Sequence, residues 1–199
     1  GTARILMEGR GPALRIVGDH QGTATPSTVK EHTWERERFP VISGFEVQGR
    51  HAEAEGIELY RTMQTTIREV LIRNCRYGIH LSERNRNFLL AQCHIYDNSD
   101  TGVFFDECNL HQVIIIGNHI SYCKRAGICQ FEGDVHNIQI TGNDIEYNNS
   151  PGLDESPQGE PTGAEIWFEA TAGVISEVTI ASNTIQATVQ PGGANVRIW

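Results

Sequence analysis

A pattern of the form V-x-I-x-x-N-x-I returns five times along the chain with constant internal spacing, and a repeat of that kind restricts the fold more than any single residue does. It reads VLIRNCRY with Cys75 in the asparagine slot, FLLAQCHI with Cys93, IIIGNHI with Asn118, IQITGNDI with Asn143 and VTIASNTI with Asn183. The slot advances by 18, 25, 25 and 40 residues, and the last step is one 25-residue period plus the Pro/Gly-rich stretch NNSPGLDESPQGEPTG. A second motif keeps the same beat: a glycine, then two inward apolar residues separated by one outward position. Gly56-Ile57-Glu58-Leu59, Gly78-Ile79-His80-Leu81, Gly102-Val103-Phe104-Phe105 and Gly127-Ile128 carry it, with Ile166-Trp167-Phe168 and Val196-Arg197-Ile198 in later copies. ISGFEVQG at 42–49 and PALRIV at 12–17 read as earlier, more degenerate copies.

Alternation of period two within such short segments indicates strands with one face inward, and the residues between V-x-I and x-N-x-I leave room only for a sharp bend. Identical strands that return once per period stack in parallel on their predecessors, about 4.8 Å apart. Asparagine suits the bend because it tolerates left-handed backbone, and stacked Asn side chains can hydrogen-bond up the column. Asn98 and Asn148, with Cys123 between them, form a second such column. The expected fold is an all-β, single-stranded parallel β-helix with three parallel sheets, an Asn/Cys ladder and about six to seven coils. It takes in residues 1–199 as one domain, with insertions at 18–38 and 148–162.

Composition agrees with short strands and tight turns. Of 199 residues 20 are glycine, aromatics make up 8% and hydrophobic residues 39%, enough for one sizeable core. The net charge of −9, with only 16 Lys and Arg and no basic run, argues against nucleic acid as a partner. No apolar run reaches the roughly 18 residues needed to span a bilayer. Five cysteines cannot all pair within one chain, and none has a metal or redox CxxC spacing. Gly1 is not an initiator methionine, and the strand-like segments ARILMEG and ANVRIW at the two ends lack a polar or helical cap. The chain therefore reads as a piece of a longer solenoid, or as one that associates end to end or as a trimer.

The repeats over residues 39–199 resemble the pectate-lyase-like, right-handed parallel β-helix superfamily, whose coils carry an Asn ladder between the second and third sheets. The resemblance implies a right-handed coil and a substrate groove on the first sheet, and extracellular or cell-surface location is expected. Polysaccharide lyases, pectin-type hydrolases, epimerases, phage tailspikes and modules without known activity share this fold, so it does not fix function. Neither the paired-aspartate and GHG motifs of polygalacturonases nor the arginine-containing motifs of pectate lyases occur here.

If the Asn bend precedes the third sheet, the Gly-led strand belongs to the first. One outward column there then runs Arg15, Glu58, His80, Phe104, Cys129, Trp167 and Arg197, and the next runs Tyr60, Ser82, Asp106, Glu132, Glu169 and Trp199. Stacked carboxylates at Asp106, Glu132 and Glu169 should raise one another's pKa, as a general acid requires, or gather a divalent cation such as calcium. These three are the candidate catalytic residues. Neighbouring rungs match the roughly 5–5.5 Å carboxylate separation of retaining glycosidases, and alternate rungs approach the upper end of the roughly 6.5–9.5 Å inverting range. Tyr60, Phe104, Trp167 and Trp199 offer flat platforms for sugar rings; His80, Arg84 and Arg197 offer polar contacts to the same polysaccharide. Arg84 and Arg86, in SERNRN, are placed to reach an anionic sugar.

Plainer readings stand beside these. The carboxylate column serves equally as a solvated acidic face, His80 as a groove-lining residue, and Lys124 and Arg125 as surface charge. The cysteines read as small buried residues. Two functions follow: a carbohydrate-binding or carbohydrate-cleaving β-helix, lyase or glycoside hydrolase, or a non-catalytic structural or adhesive module.

Overall fold

The computed structural model describes residues 3–21, 25–37, 39–149, 163–186 and 192–199. Within them the chain winds through three faces in a fixed order, every pairing between coils being parallel. The first, Gly-led face holds Gly11–Val17, Ala54–Tyr60, the leading halves of Tyr77–Ala91 and Thr101–Ile116, then Ala126–Phe131, Ala164–Glu169 and Ala194–Ile198. The second holds Val41–Ser43, Thr66–Arg68, the trailing halves of those two long strands, Asp134–Thr141 and Val174–Ala181. The third runs Ala3–Met7, Phe45–Gly49, Leu71–Arg73, His94–Tyr96, His119–Ser121, Asp144–Glu146 and Thr184–Gln186. Because two strands bend through the first corner unbroken, the first two faces are one hydrogen-bonded sheet and the third is separate.

Register turns the sequence repeat into vertical stacks. Ile57, Ile79, Val103, Ile128 and Ile166 are successive partners and all fully buried, one of the inward columns of a continuous core. Each such side chain contributes roughly 1.5–3 kcal/mol by leaving water. The glycine before each inward pair permits the coils to approach: a Cβ on Gly102 would lie 2.6 Å from the carbonyl oxygen of Gly127.

All three corners carry a ladder. Between the second and third faces, Cys93 N donates to Asn118 Oδ1, Asn118 N to Asn143 Oδ1 and Asn143 N to Asn183 Oδ1, each at 2.9 Å. Between the third and first, Cys75 N donates to Asn98 Oδ1 at 3.0 Å and Cys123 N to Asn148 Oδ1 at 2.9 Å. Between the first and second, Thr62 N donates to Asn85 Oδ1 at 3.0 Å and Asn85 Nδ2 to Cys108 Sγ at 3.4 Å. Cys75 thus belongs to the second ladder rather than with Cys93, which removes the anomalous 18-residue step, and Val70 occupies the slot below Cys93.

The left-handed residue is also displaced from the expected one. Gln92, Asp97, Gly117, Tyr122, Gly142, Tyr147 and Ser182 have positive φ, each immediately preceding a ladder residue, while the ladder asparagines do not. The preceding residue makes the turn; asparagine supplies the inward amide whose oxygen satisfies a backbone donor of the preceding coil.

The 18–38 insertion leaves the first face where Gly18 N donates to Tyr60 O and His20 N to Arg61 O, and it contains a short helix, Glu31–Arg36. Of the second insertion, Asn148 is a ladder rung; residues 150–162 lie outside the described residues.

Candidate functional site

The outward side of the first face is built from three columns. The central one is Arg15, Glu58, His80, Phe104, Cys129, Trp167 and Arg197 in register. The one beyond it runs Tyr60, Ser82, Asp106, Phe131 and Glu169, with Trp199 N bonded to Phe168 O so that Trp199 follows Glu169. Phe131 stands where Glu132 was expected. Gln130 turns inward and is fully buried, shifting the polar-looking segment by one residue. Glu132 instead sits at the corner with φ 50°, where its Oε2 accepts from Ala172 N at 2.8 Å. The three-carboxylate stack therefore reduces to Asp106 and Glu169 on either side of Phe131.

The third column precedes the glycine and includes Glu55, Tyr77, Thr101 and Ala126. Simple alternation from Ile57 and Leu59 would turn Glu55 inward; the close approach at Gly56 breaks that alternation and brings Glu55 to the outer face. There it completes a constellation that sequence reading missed. His80 Nδ1 lies 3.1 Å from Glu55 Oε2 and His80 Nε2 3.1 Å from Asp106 Oδ2. Burial alone would pull the imidazole pKa down, but hydrogen bonds and charge from Asp106 and Glu55 outweigh it and push it up to about 9. His80 is thus an imidazolium at neutral pH, packed against Tyr77 at 5.0 Å and stacked on Phe104 at 5.7 Å. Of the three polar groups Asp106 is the accessible one, its side chain 42% exposed against 13% for His80 and 15% for Glu55.

Beside this group, Glu58 pairs with Arg15 at 2.8 Å and accepts from Ser82 Oγ at 3.4 Å. The guanidiniums of Arg15 and Arg61 lie 4.8 and 4.9 Å from the Tyr60 ring centre. Phe104 and Trp167 are buried and are not open platforms. Arg125, itself buried, lies 4.7 Å over Trp167 and 5.7 Å over Phe104, with Asp100 Oδ1 3.6 Å from its Nη1, so it is no surface charge. The aromatics of this face that are not fully buried are Tyr60 and Phe131, both half-buried, and Trp199, which is exposed and whose ring faces the Arg197 guanidinium at 5.7 Å. Arg84 lies round the corner, off this face, paired in register with Asn109.

Among the described residues, two clusters have side chains close enough to share a cation: Asp19, His32 and Glu37 in the insertion, and His119, Asp144 and Glu146 on the third face. Neither is on the column to which calcium was assigned from sequence. Among the described residues no helix is long and apolar enough to cross a membrane.

Three parallel faces, corner ladders and one inward stack define a single-stranded parallel β-helix bearing a polar first face. The chain belongs to the family described as "right handed beta helix region", whose model matches residues 40–192. No curated protein and no solved structure matches it.

Proposed function

We propose that this protein binds a polysaccharide along its first face and cleaves it, outside the cell or at its surface, with Asp106 as the acid–base group. The observation that carries this reading is His80 held between Glu55 and Asp106, beside an accessible carboxylate edge. His80 Nε2 on one Asp106 oxygen holds that carboxylate fixed in direction, as a base must be, while the chain of three groups can take up and return a proton. Asp106 and Glu169 occupy alternate rungs, about 9.6 Å apart at the usual strand spacing. That is just beyond the roughly 6.5–9.5 Å range of inverting glycosidases and far beyond the roughly 5–5.5 Å of retaining ones, so of the two hydrolytic outcomes inversion is the one the spacing fits better. Tyr60 and Trp199 supply ring surfaces along the same line.

A panel of neutral and acidic polysaccharides, with and without calcium, tests this by reducing-end release and by ultraviolet absorbance of unsaturated products. Turnover that Asp106→Asn abolishes while polymer binding persists is expected. Absorbance without net hydrolysis would make the protein a lyase. If no polymer binds, the face is a structural or adhesive surface and this reading fails.

A further inference from the structure

Round the corner from His80, past the left-handed residue Glu83, lies a cavity of about 340 Å³ lined by Gln21, Arg61, Glu83, Arg84, Glu107 and Asn109. Arg84 is only 4% exposed. Its Nε donates to His20 Nε2 at 3.0 Å, which orients the guanidinium, but among the described residues Nη1 and Nη2 have no hydrogen-bond partner and Arg84 forms no ion pair. A near neighbour adds positive charge: Arg86, two residues on, is also buried. Burial and the nearby Arg86 pull the Arg84 pKa down to about 10, still charged at neutral pH; burial, Arg84 and Arg86 pull His20 down to about 4, leaving it a neutral acceptor. A buried guanidinium with its outer fork unmatched is destabilising unless something accepts from it.

Asn109 offers the complementary orphan. Its Nδ2 donates to Asp134 Oδ2 at 3.0 Å, while its Oδ1, buried on the same cavity, has no donor. The cavity thus lacks an acceptor pair for a planar fork and a donor for an amide oxygen. Glu83, whose Oε2 is 3.2 Å from Arg61 Nη2, and Glu107 also line it. Two carboxylates disfavour a dianion such as sulfate and accept hydrogen bonds from hydroxyls.

We infer that this corner cavity is a binding site for a hydroxylated monocarboxylate, its carboxylate gripped by the Arg84 fork and a hydroxyl donating to Asn109 Oδ1. Bidentate carboxylate recognition is what a pre-oriented guanidinium does best. The ligand is either a free hydroxy acid or a carboxylated sugar residue within a glycan; both present the same chemistry. The site is separate from the Asp106 reading and stands or falls independently of it.

Calorimetric titration of the full chain with gluconate, glucose, sulfate, and an oligosaccharide ending in glucuronate, with its methyl ester, tests the assignment. Saturable binding of gluconate marks a free-acid site; binding of the oligosaccharide alone marks a glycan site. In either case Arg84→Gln and esterification each weaken binding at least tenfold, and glucose and sulfate do not compete. Thermal unfolding in anion-free buffer adds a readout that a structural role would reverse: Arg84→Gln is at least as stable as the parent, because it removes an unmatched buried cation. No binding of either carboxylate, sulfate binding as tight as gluconate, binding unchanged in Arg84→Gln, or a lowered melting temperature of that variant in anion-free buffer would overturn the inference.

Discussion

His80 Nε2 stands 3.1 Å from Asp106 Oδ2, a contact between neighbouring coils made by residues that lie in adjacent columns. The contact ties coil stacking to protonation. His80 has an ordinary pKa of 6.5, raised in the fold to about 9, so its charged form stabilises the folded chain. That stabilisation is fully present below about pH 6.5 and is lost as pH rises through about 9. Its upper limit is about 3 kcal/mol at 1.36 kcal/mol per pKa unit, reduced by the exposure of Asp106. Urea unfolding at pH 6 and pH 9.5 should show the loss, and His80→Asn should flatten the difference.

The ladder asparagines are the most stringent polar positions. Asn118 accepts from Cys93 N and donates to Asn143 Oδ1 and Leu90 O. Asn118→Ala leaves several of these groups buried and unmatched, at about 1–3 kcal/mol each. A total loss near ~4 kcal/mol is expected by urea titration. Cysteine occupies equivalent rungs at positions 93 and 123, so Asn118→Cys should lose markedly less.

The location of the left-handed residue separates two otherwise similar glycine substitutions. Gln92 has φ 55° and Asn118 does not lie in that region. Gln92→Gly relieves a strain of about 1 kcal/mol and should leave stability unchanged or raised. Asn118→Gly should be as damaging as Asn118→Ala. Gly117→Ala, at φ 65° with no steric obstacle nearby, should cost about 1 kcal/mol. Melting temperatures of the three variants give the ordering.

All five cysteines are free and buried. Burial pushes Cys75 and Cys93 up to about 11 and Cys108, Cys123 and Cys129 up to about 12. The folded protein should resist thiol-reactive dyes at pH 8, and all five thiols should react together once it is unfolded.

Much of this was legible in the sequence, because a coil repeat states which residues are vertical neighbours. The central column from Arg15 to Arg197 follows directly from the glycine beat. Three things were not legible. Glu132 was misplaced because Gln130, polar by composition, faces the core and Phe131 faces out, against the usual pattern. Glu55 was missed because alternation fails at Gly56, where the backbones crowd. Trp167 was correctly aimed outward yet is fully buried, since alternation gives a side chain's direction but says nothing of the Arg125 that covers it.

Asn143 and Asn183 make the same 2.9 Å amide contact across 40 residues that Asn118 and Asn143 make across 25. Contour length between rungs is therefore free to vary while pitch is not. A graft or deletion confined to the chain between Asn149 and Gly163, clear of the strands and rungs of that coil, would leave the axial spacing intact, which makes it the natural splice point for fitting this solenoid with a new loop.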